Sequence, residues 1–359
     1  NTHQKFSVPA FTPVIFNLCL IVSAIFIAPL YDMPIYVLAW GVLLAGMLQL
    51  LIQISPLLSI NRLPVPKLDI KNSGLRKFYK LILPAILAGG VIQINLLIDT
   101  IFASLLETGS PTWLYVSDRL IQFPMGIFAI AIGTILLPTL SNIDLEREKN
   151  IFIENIKKGQ KFVLFIGIPS LIGLFFCAED LISTIFYRGE FTELDVFKSS
   201  YSLMAFSIGL PFFMLMKVLT PAFFARKDTK TPMYVAFISL VLNAFFNYLL
   251  AFVFGFGHVG LAIGSSIAAL ISVLILETIL YKQGFIKITN MFNRFNFMIL
   301  ISSSFLIVFL NFYTTKTNFI EFNQIERLFY LSIEILASIF IYFFIARIIN
   351  GKPLRTLLN

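Results

Sequence analysis

The sequence predicts an all-α, polytopic membrane protein of about ten transmembrane helices, and three observations predict it. Hydrophobic residues make up 58% of the 359 positions and charged residues only 13%, with a mean hydropathy of +0.88. A soluble domain needs more charge than this to cover its surface. Apolar runs of about 20 residues, the length that crosses a bilayer as helix, recur along the chain, and they are continuous where a membrane barrel would alternate. The remaining charges gather between these runs.

Taken in order, the runs fall at about 11–30, 35–54, 81–106, 120–140, 162–186, 201–225, 233–254, 261–281, 297–313 and 328–349. The run at 297–313 is short, and 162–186 carries Glu179 and Asp180 near its far end. Counting lysine and arginine on alternate sides fixes the orientation. Arg119, Arg188, Lys198, Lys316 and Arg327 fall on one side and Lys217 lies within a run, while all the others of the 27 fall on the opposite side. By the positive-inside rule that side is cytoplasmic, and so are both ends of this chain. The net charge of +8 is therefore an orientation signal and does not call for a nucleic-acid partner.

Two cysteines, Cys19 and Cys177, lie within apolar runs and read as small packing residues. His3 and His258 are far apart, which excludes a histidine-built zinc site. Nothing points to a cofactor, and no protein partner is legible. Pro84, Pro124, Pro138, Pro169, Pro211 and Pro221, with Gly89, Gly90 and Gly126, interrupt the runs. They read either as ordinary kinks of membrane helices or as the bending points a transporter needs. The stretch LPVPKLDIKNSG within 55–80 reads as a cytoplasmic connector between two bundles, and the last two runs as an appendage.

Ionisable groups in hydrocarbon cost about 2.5–3.5 kcal/mol each on insertion scales, so each asks for a reason. Asn95 and Asp99 stand four apart, on one helical face, and Asn243 and Asn247 repeat that spacing. A carboxylate with amide carbonyls suits a hard cation such as sodium; a helix–helix hydrogen-bond cluster suits the same spacing. Asp118 and Arg119 open the fourth run. Arg119 either snorkels to water or clamps an anionic phosphate with its planar fork, with Gln122 on the same face. Lys217 is deeper, roughly ten residues from Arg226, and could serve the same anionic ligand as a point charge. Glu277 reads as interfacial, while Glu334 belongs to the appendage and the sequence gives no account of it. The loop Arg226–Pro232 would meet anionic lipid head groups, as plain positive-inside charge also would.

Several stretches resemble a known family. NTHQKFSVPAFTPVIFN, INLLIDTIFASLL, WLYVSDRLIQFPMGIFAIAIGTILLPTLS, FYRGEFTELD, KVLTPAFFARKDTKTP and GHVGLAIGSS run in order to about residue 285, and they resemble the MurJ (MviN) lipid II flippases. The resemblance implies an exporter-type bundle of the multidrug/oligosaccharidyl-lipid/polysaccharide class, with two six-helix lobes and two extra C-terminal helices. On that plan 1–54 holds the last two helices of the first lobe, 55–80 the cytoplasmic linker, 81–285 the second lobe, and 297–359 the appendage and tail. The chain then begins before the family's fifth helix, as an N-terminally truncated member.

The resemblance further implies a transporter without covalent chemistry, working by alternating access in the bacterial inner membrane. Its substrate would be lipid II, the undecaprenyl-pyrophosphate-linked peptidoglycan precursor, moved to the periplasmic leaflet among membrane lipids. Asp118, Arg119, Gln122 and Lys217 match the family's substrate-binding positions. Asp99, Asn243, Asn247 and Val259 match its cation-binding positions, with Asn247 replacing an acidic residue and Ile263 a hydroxyl. A sodium ion or the membrane potential would drive transport. Another exporter of the same fold, carrying a different lipid-linked oligosaccharide or a drug, is the neighbouring reading, with an inactive fragment beside it.

Overall fold

The computed structural model describes residues 7–59, 90–91, 93–286 and 294–350. Among them are helices and turns and no strands, as the unbroken apolar runs require. Nine helices among the described residues are long and apolar enough to cross a membrane. The tenth expected span, 81–106, lies partly outside the described residues; its part at 93–104 is helical. The chain divides into two compact units, Asn1–Lys80 and Leu81–Asn359.

In the first unit, α1 (Ser7–Val22) runs through a π-turn, Ser23–Ile27, and a 3₁₀ turn, Ala28–Leu30, and α2 (Pro34–Ser59) returns beside it. Their close approach needs a glycine, since a Cβ on Gly41 would lie 2.5 Å from the Ser23 hydroxyl. Gln49 Nε2 ties the pair by donating to Thr12 O at 2.8 Å. Helix α2 continues to Ser59, so the first residues of the expected 55–80 linker are helical; the rest of that linker lies outside the described residues, as do Pro84 and Gly89.

The second unit opens with α3 (residues 93–104). After it come α4 (Ser110–Pro124), a π-turn at Met125–Ala129 and α5 (Ile130–Ser141), which together form one span. Pro124 and Gly126 thus coincide with a real break in helical geometry, as π-turns often do. Helix α6 is Lys149–Phe176, α7 is Ala178–Phe186 and α8 is Glu193–Phe224. The expected single run at 162–186 is therefore two helices, parted at Cys177. Helix α9 (Lys230–Tyr248) ends in a π-turn, Leu249–Val253, and α10 (Gly257–Lys282), α11 (Arg294–Thr314) and α12 (Gln324–Asn350) complete the unit.

Helix α8 is the unit's axis. At 32 residues it is about 48 Å long, well beyond the roughly 30 Å of bilayer hydrocarbon. It begins with a reciprocal cap: Thr192 N donates to Asp195 Oδ2 at 2.8 Å, and Asp195 N donates to Thr192 Oγ1 at 3.4 Å. Helices α4, α5, α6, α7 and α10 all pack on it, around fully buried Leu203, Leu210, Met214, Val218 and Leu219. The outward faces stay apolar, with Phe237, Phe245, Leu300 and Val308 exposed, the arrangement lipid permits and water does not.

Proline breaks inside these helices are put to use. Pro169 cannot donate to Phe165 O, and the hydroxyl of Tyr342, from α12, donates to that carbonyl at 2.9 Å. Pro221 frees Lys217 O in the same way, and Gly133 of α5 approaches it so closely that a Cβ there would lie 3.0 Å from the oxygen. The C-terminal pair is therefore docked as well as appended. Helix α11 packs on α6, and α12 on α7, through a second core that includes Phe165, Ile172, Cys177, Met298, Leu306, Leu310, Tyr342 and Ala346.

Candidate functional site

On α4, Asp118, Arg119 and Gln122 are joined as one surface group. The Gln122 amide donates to Asp118 Oδ2, and Gln122 Oε1 accepts from Arg119 Nη1 at 3.3 Å. The guanidinium also lies over the Tyr115 ring, 4.6 Å from its centroid, so the side chain is held from two sides by residues three and four positions away. Arg119 and Gln122 are exposed and Asp118 is half-buried. Among the described residues no carboxylate forms an ion pair with Arg119. Behind this face, Ser117 donates across to Ser199 O of α8 at 2.7 Å, which fixes the rotation of α4.

Lys217 is exposed on α8. The contact between Gly133 and Lys217 O sets its height relative to Arg119, because α4 and α5 form one span. Fourteen residues separate 119 from 133, a rise of about 21 Å. The backbone positions of the two cationic residues thus stand at different depths of one bundle.

Asp99, Asn95, Asn243 and Asn247 do meet. Asn95 Nδ2 donates to Asp99 Oδ2 at 3.1 Å, and Asn247 Nδ2 donates to Asp99 Oδ1 at 2.7 Å. The second Asn247 donor goes to Asn243 Oδ1 at 2.9 Å, and Asn243 passes its own amide to Ser265 Oγ at 2.9 Å. The chain thus links α3, α9 and α10. Asn247 is fully buried, and its Oδ1 has no partner. Gly260 and Gly264 admit this packing: added Cβ atoms would lie 2.7 Å from the backbone at Leu250 and Ala251, and 2.2 Å from Asn247 Oδ1. Val259 is half-buried in the first turn of α10, outside this chain of bonds.

The donor set can be weighed for a cation. Both Asp99 oxygens already accept an N–H, and Asn243 Oδ1 accepts a third, so the amides do here what a metal ion would do elsewhere. Asn247 Oδ1 is the one oxygen of this chain of bonds that is buried and without a hydrogen-bond partner.

Sequence reasoning missed a second polar group at the opposite end of α8 from Lys217. Trp113 Nε1 donates to Asp195 Oδ1 at 2.7 Å, Lys198 pairs with Glu107 at 2.7 Å, and His258 Nδ1 meets the Ser202 hydroxyl at 2.7 Å. The His258 ring lies against Trp113, centroids 4.9 Å apart. Partners 56 to 91 positions apart leave no local spacing to read. At the other end Glu277, expected at an interface, accepts from Gln160 at 2.8 Å and lines a cavity of about 500 Å³ with Lys157 and Lys161.

These spans, their lipid-compatible surfaces and their charged ends define a helical, multi-pass membrane protein. Residues 1–330 match the family described as "Lipid II flippase MurJ", and the chain belongs to that family. A protein of Vibrio cholerae serotype O1 named "Probable lipid II flippase MurJ" is 42% identical over 290 residues, covering 81% of this chain and 55% of that protein. The Haemophilus influenzae protein of the same name is 42% identical over 282 residues, covering 77% and 55%. A solved structure titled "Lipid II flippase MurJ, inward closed conformation" superposes with a TM-score of 0.78 at 27% identity, covering all of this chain and 70% of that one. The chain spans about half the length of the curated relatives it matches. Membership places it in the bacterial inner membrane.

Proposed function

We propose that this chain forms the larger part of a lipid II flippase, moving the undecaprenyl-pyrophosphate-linked precursor from the cytoplasmic to the periplasmic leaflet by alternating access. The observation that carries the reading is Arg119: a guanidinium braced by Gln122 and Tyr115, exposed, and without a carboxylate partner among the described residues. A planar, pre-oriented fork of N–H donors is what a diphosphate recognises. Asp118 reaches it through Gln122 and keeps the amide turned toward it.

Lys217 serves the same ligand at another stage. With about 21 Å of helix between the backbone levels of the two residues, one pyrophosphate group meets them in succession as it crosses. Lys217 lies toward the end where Arg226, Lys227, Lys230, Lys282, Arg294 and Arg347 collect, which we take as cytoplasmic by the positive-inside rule. The same rule makes both ends of the chain cytoplasmic. Arg119 is then met later, nearer the periplasm.

The hydrogen-bonded set of Asp99, Asn243 and Asn247 supports a structural tie in preference to a sodium site. That leaves the membrane potential as the driving force: each elementary charge crossing 100 mV is worth about 2.3 kcal/mol. Domain roles follow the family plan, with 1–54 closing a first lobe, 81–285 forming the second, and 297–359 added to it.

The test is complementation of a bacterium depleted of its own flippase, using this chain alone and joined to the N-terminal helices of a longer relative. Each is made with and without Arg119→Ala and Arg119→Lys. The joined form should restore growth, Arg119→Ala should abolish rescue, and Arg119→Lys should restore it only in part because the fork is lost. Failure of a well-inserted joined form would point to an exporter of the same fold with another cargo.

A further inference from the structure

Asp180 and Glu334 face each other in the seam between α7 and α12. Glu334 is fully buried and Asp180 is 5% exposed. Both oxygens of Glu334 and Oδ2 of Asp180 lack a hydrogen-bond partner. The two carboxyl groups stand directly against each other, with the Cys177 thiol alongside. Met acceptor to acceptor, two carboxylates repel and form no bond. A single proton turns one of them into a donor and converts the repulsion into a hydrogen bond.

Among the described residues no cation pairs with either acid. The α6–α7 junction contributes Cys177, and α7 itself adds Glu179, which faces Glu193 of α8. Helix α11 contributes Tyr313, whose hydroxyl is committed to Tyr330 O at 3.1 Å. On α12 the nearest cation in sequence is Arg327, seven residues and about 10 Å of helix before Glu334. Its donors go to Phe319 O at 2.7 Å, Ile320 O at 2.9 Å, Tyr187 O at 3.4 Å and Ser183 O at 3.5 Å. Ser338, one turn after Glu334, and Ser302 and Ser303 of the adjoining α11 also carry buried hydroxyls without partners.

We propose that Asp180 and Glu334 form a proton-binding site: one proton shared between the two carboxyls holds α12 on α7, and its loss unseats the C-terminal helix pair. The site is separate from the Asp99 cluster and from Arg119, and it does not depend on what the protein transports.

The experiment uses the full chain in nanodiscs of phosphatidylethanolamine and phosphatidylglycerol. The probe is the proton itself, varied by pH in choline buffer and again in sodium buffer. Infrared difference spectra between the wild type and Asp180→Asn/Glu334→Gln should show one protonated carboxylic acid per chain at neutral pH, ionising as pH rises. Over the same range the wild-type melting temperature should fall, while that of the double amide variant, which carries its own donors, should stay level. Should the double variant fail to insert, the wild-type acid band and melting temperature must still change together. Absence of the acid band at neutral pH, or a melting temperature indifferent to its loss, overturns the proposal. So does replacement of the proton by sodium at fixed pH, which would make this a monovalent-cation site.

Discussion

Asn247 donates one amide proton to Asp99 Oδ1 at 2.7 Å and the other to Asn243 Oδ1 at 2.9 Å. Both donors are spent on oxygens that a bound cation would otherwise neutralise. An aspartate at 247 would supply no donor and would place a second carboxylate against Asp99. The substitution separates a hydrogen-bonded tie from an ion site.

Asn247→Asp is expected to destabilise the chain by about 2 kcal/mol or more in sodium-free buffer, since it leaves buried acceptors unpaired. Sodium should recover part of that loss in the variant and give no gain in the parent. Thermal unfolding in detergent with and without sodium reads both, and an unchanged variant would count against the tie.

Gly260 and Gly264 should tolerate no side chain. The obstacle at Gly260 is backbone, Leu250 C and Ala251 N at 2.7 Å, and at Gly264 it is Asn247 Oδ1 at 2.2 Å. Gly260→Ala should cost on the order of 1–3 kcal/mol, as overpacking does. Gly264→Ala should cost less stability but disturb the Asp99 chain. A control at Gly173, where nothing lies within 4 Å, should leave the unfolding temperature unchanged.

Arg327 fastens the α11–α12 connection to the end of α7 through four backbone carbonyls and through stacking on Tyr187 at 4.6 Å. Lysine cannot span that set. Arg327→Lys and Arg327→Ala should both destabilise, the latter by about 3 kcal/mol. Tyr342→Phe, which leaves Phe165 O unpaired beside Pro169, should cost about 1–2 kcal/mol. Protease release of the C-terminal pair, with the rest of the chain intact, would show that the damage is local.

The turn between α8 and α9 should loosen in acid. Burial acts to raise the Asp228 carboxyl, but the Thr231 hydroxyl and amide, with Arg226 nearby, hold it below the ordinary carboxylate range. Thr231 donates to it at 2.6 and 3.0 Å, across a turn in which Lys227 takes a positive φ of 62°. A depressed group stabilises the fold at neutral pH and loses that contribution as pH falls through its own titration. Hydrogen exchange at 226–231 should rise there. Asp228→Asn should show the faster exchange already at neutral pH.

Much of the fold was legible because lipid leaves a chain few choices. A run of about 20 apolar residues must become a helix there, and the described spans fall on the runs read from the sequence. Edges moved where polar residues prolong helices beyond the hydrocarbon: α4 opens at Ser110 and α8 at Glu193, well before the runs at 120 and 201. Asn95 with Asp99, and Asn243 with Asn247, were readable as pairs because four residues make one helical face. Ser265 was not, since its role depends on which helix stands opposite. Glu334 had no legible partner because Asp180 is 154 positions away in the chain.

By itself the sequence determined the class of solvent and the helical type of the spans, since each follows from local composition and the bilayer's thickness. The motifs also determined the family. Tertiary structure decided who meets whom: that Arg119 and Lys217 stand at different depths, that amides occupy Asp99, that Tyr342 satisfies the carbonyl Pro169 freed, and that two acids share a seam. Those outcomes depend on helix rotation and packing between segments far apart in the chain. No local spacing encodes them, because a hydrogen bond is set by where its two atoms end up in space.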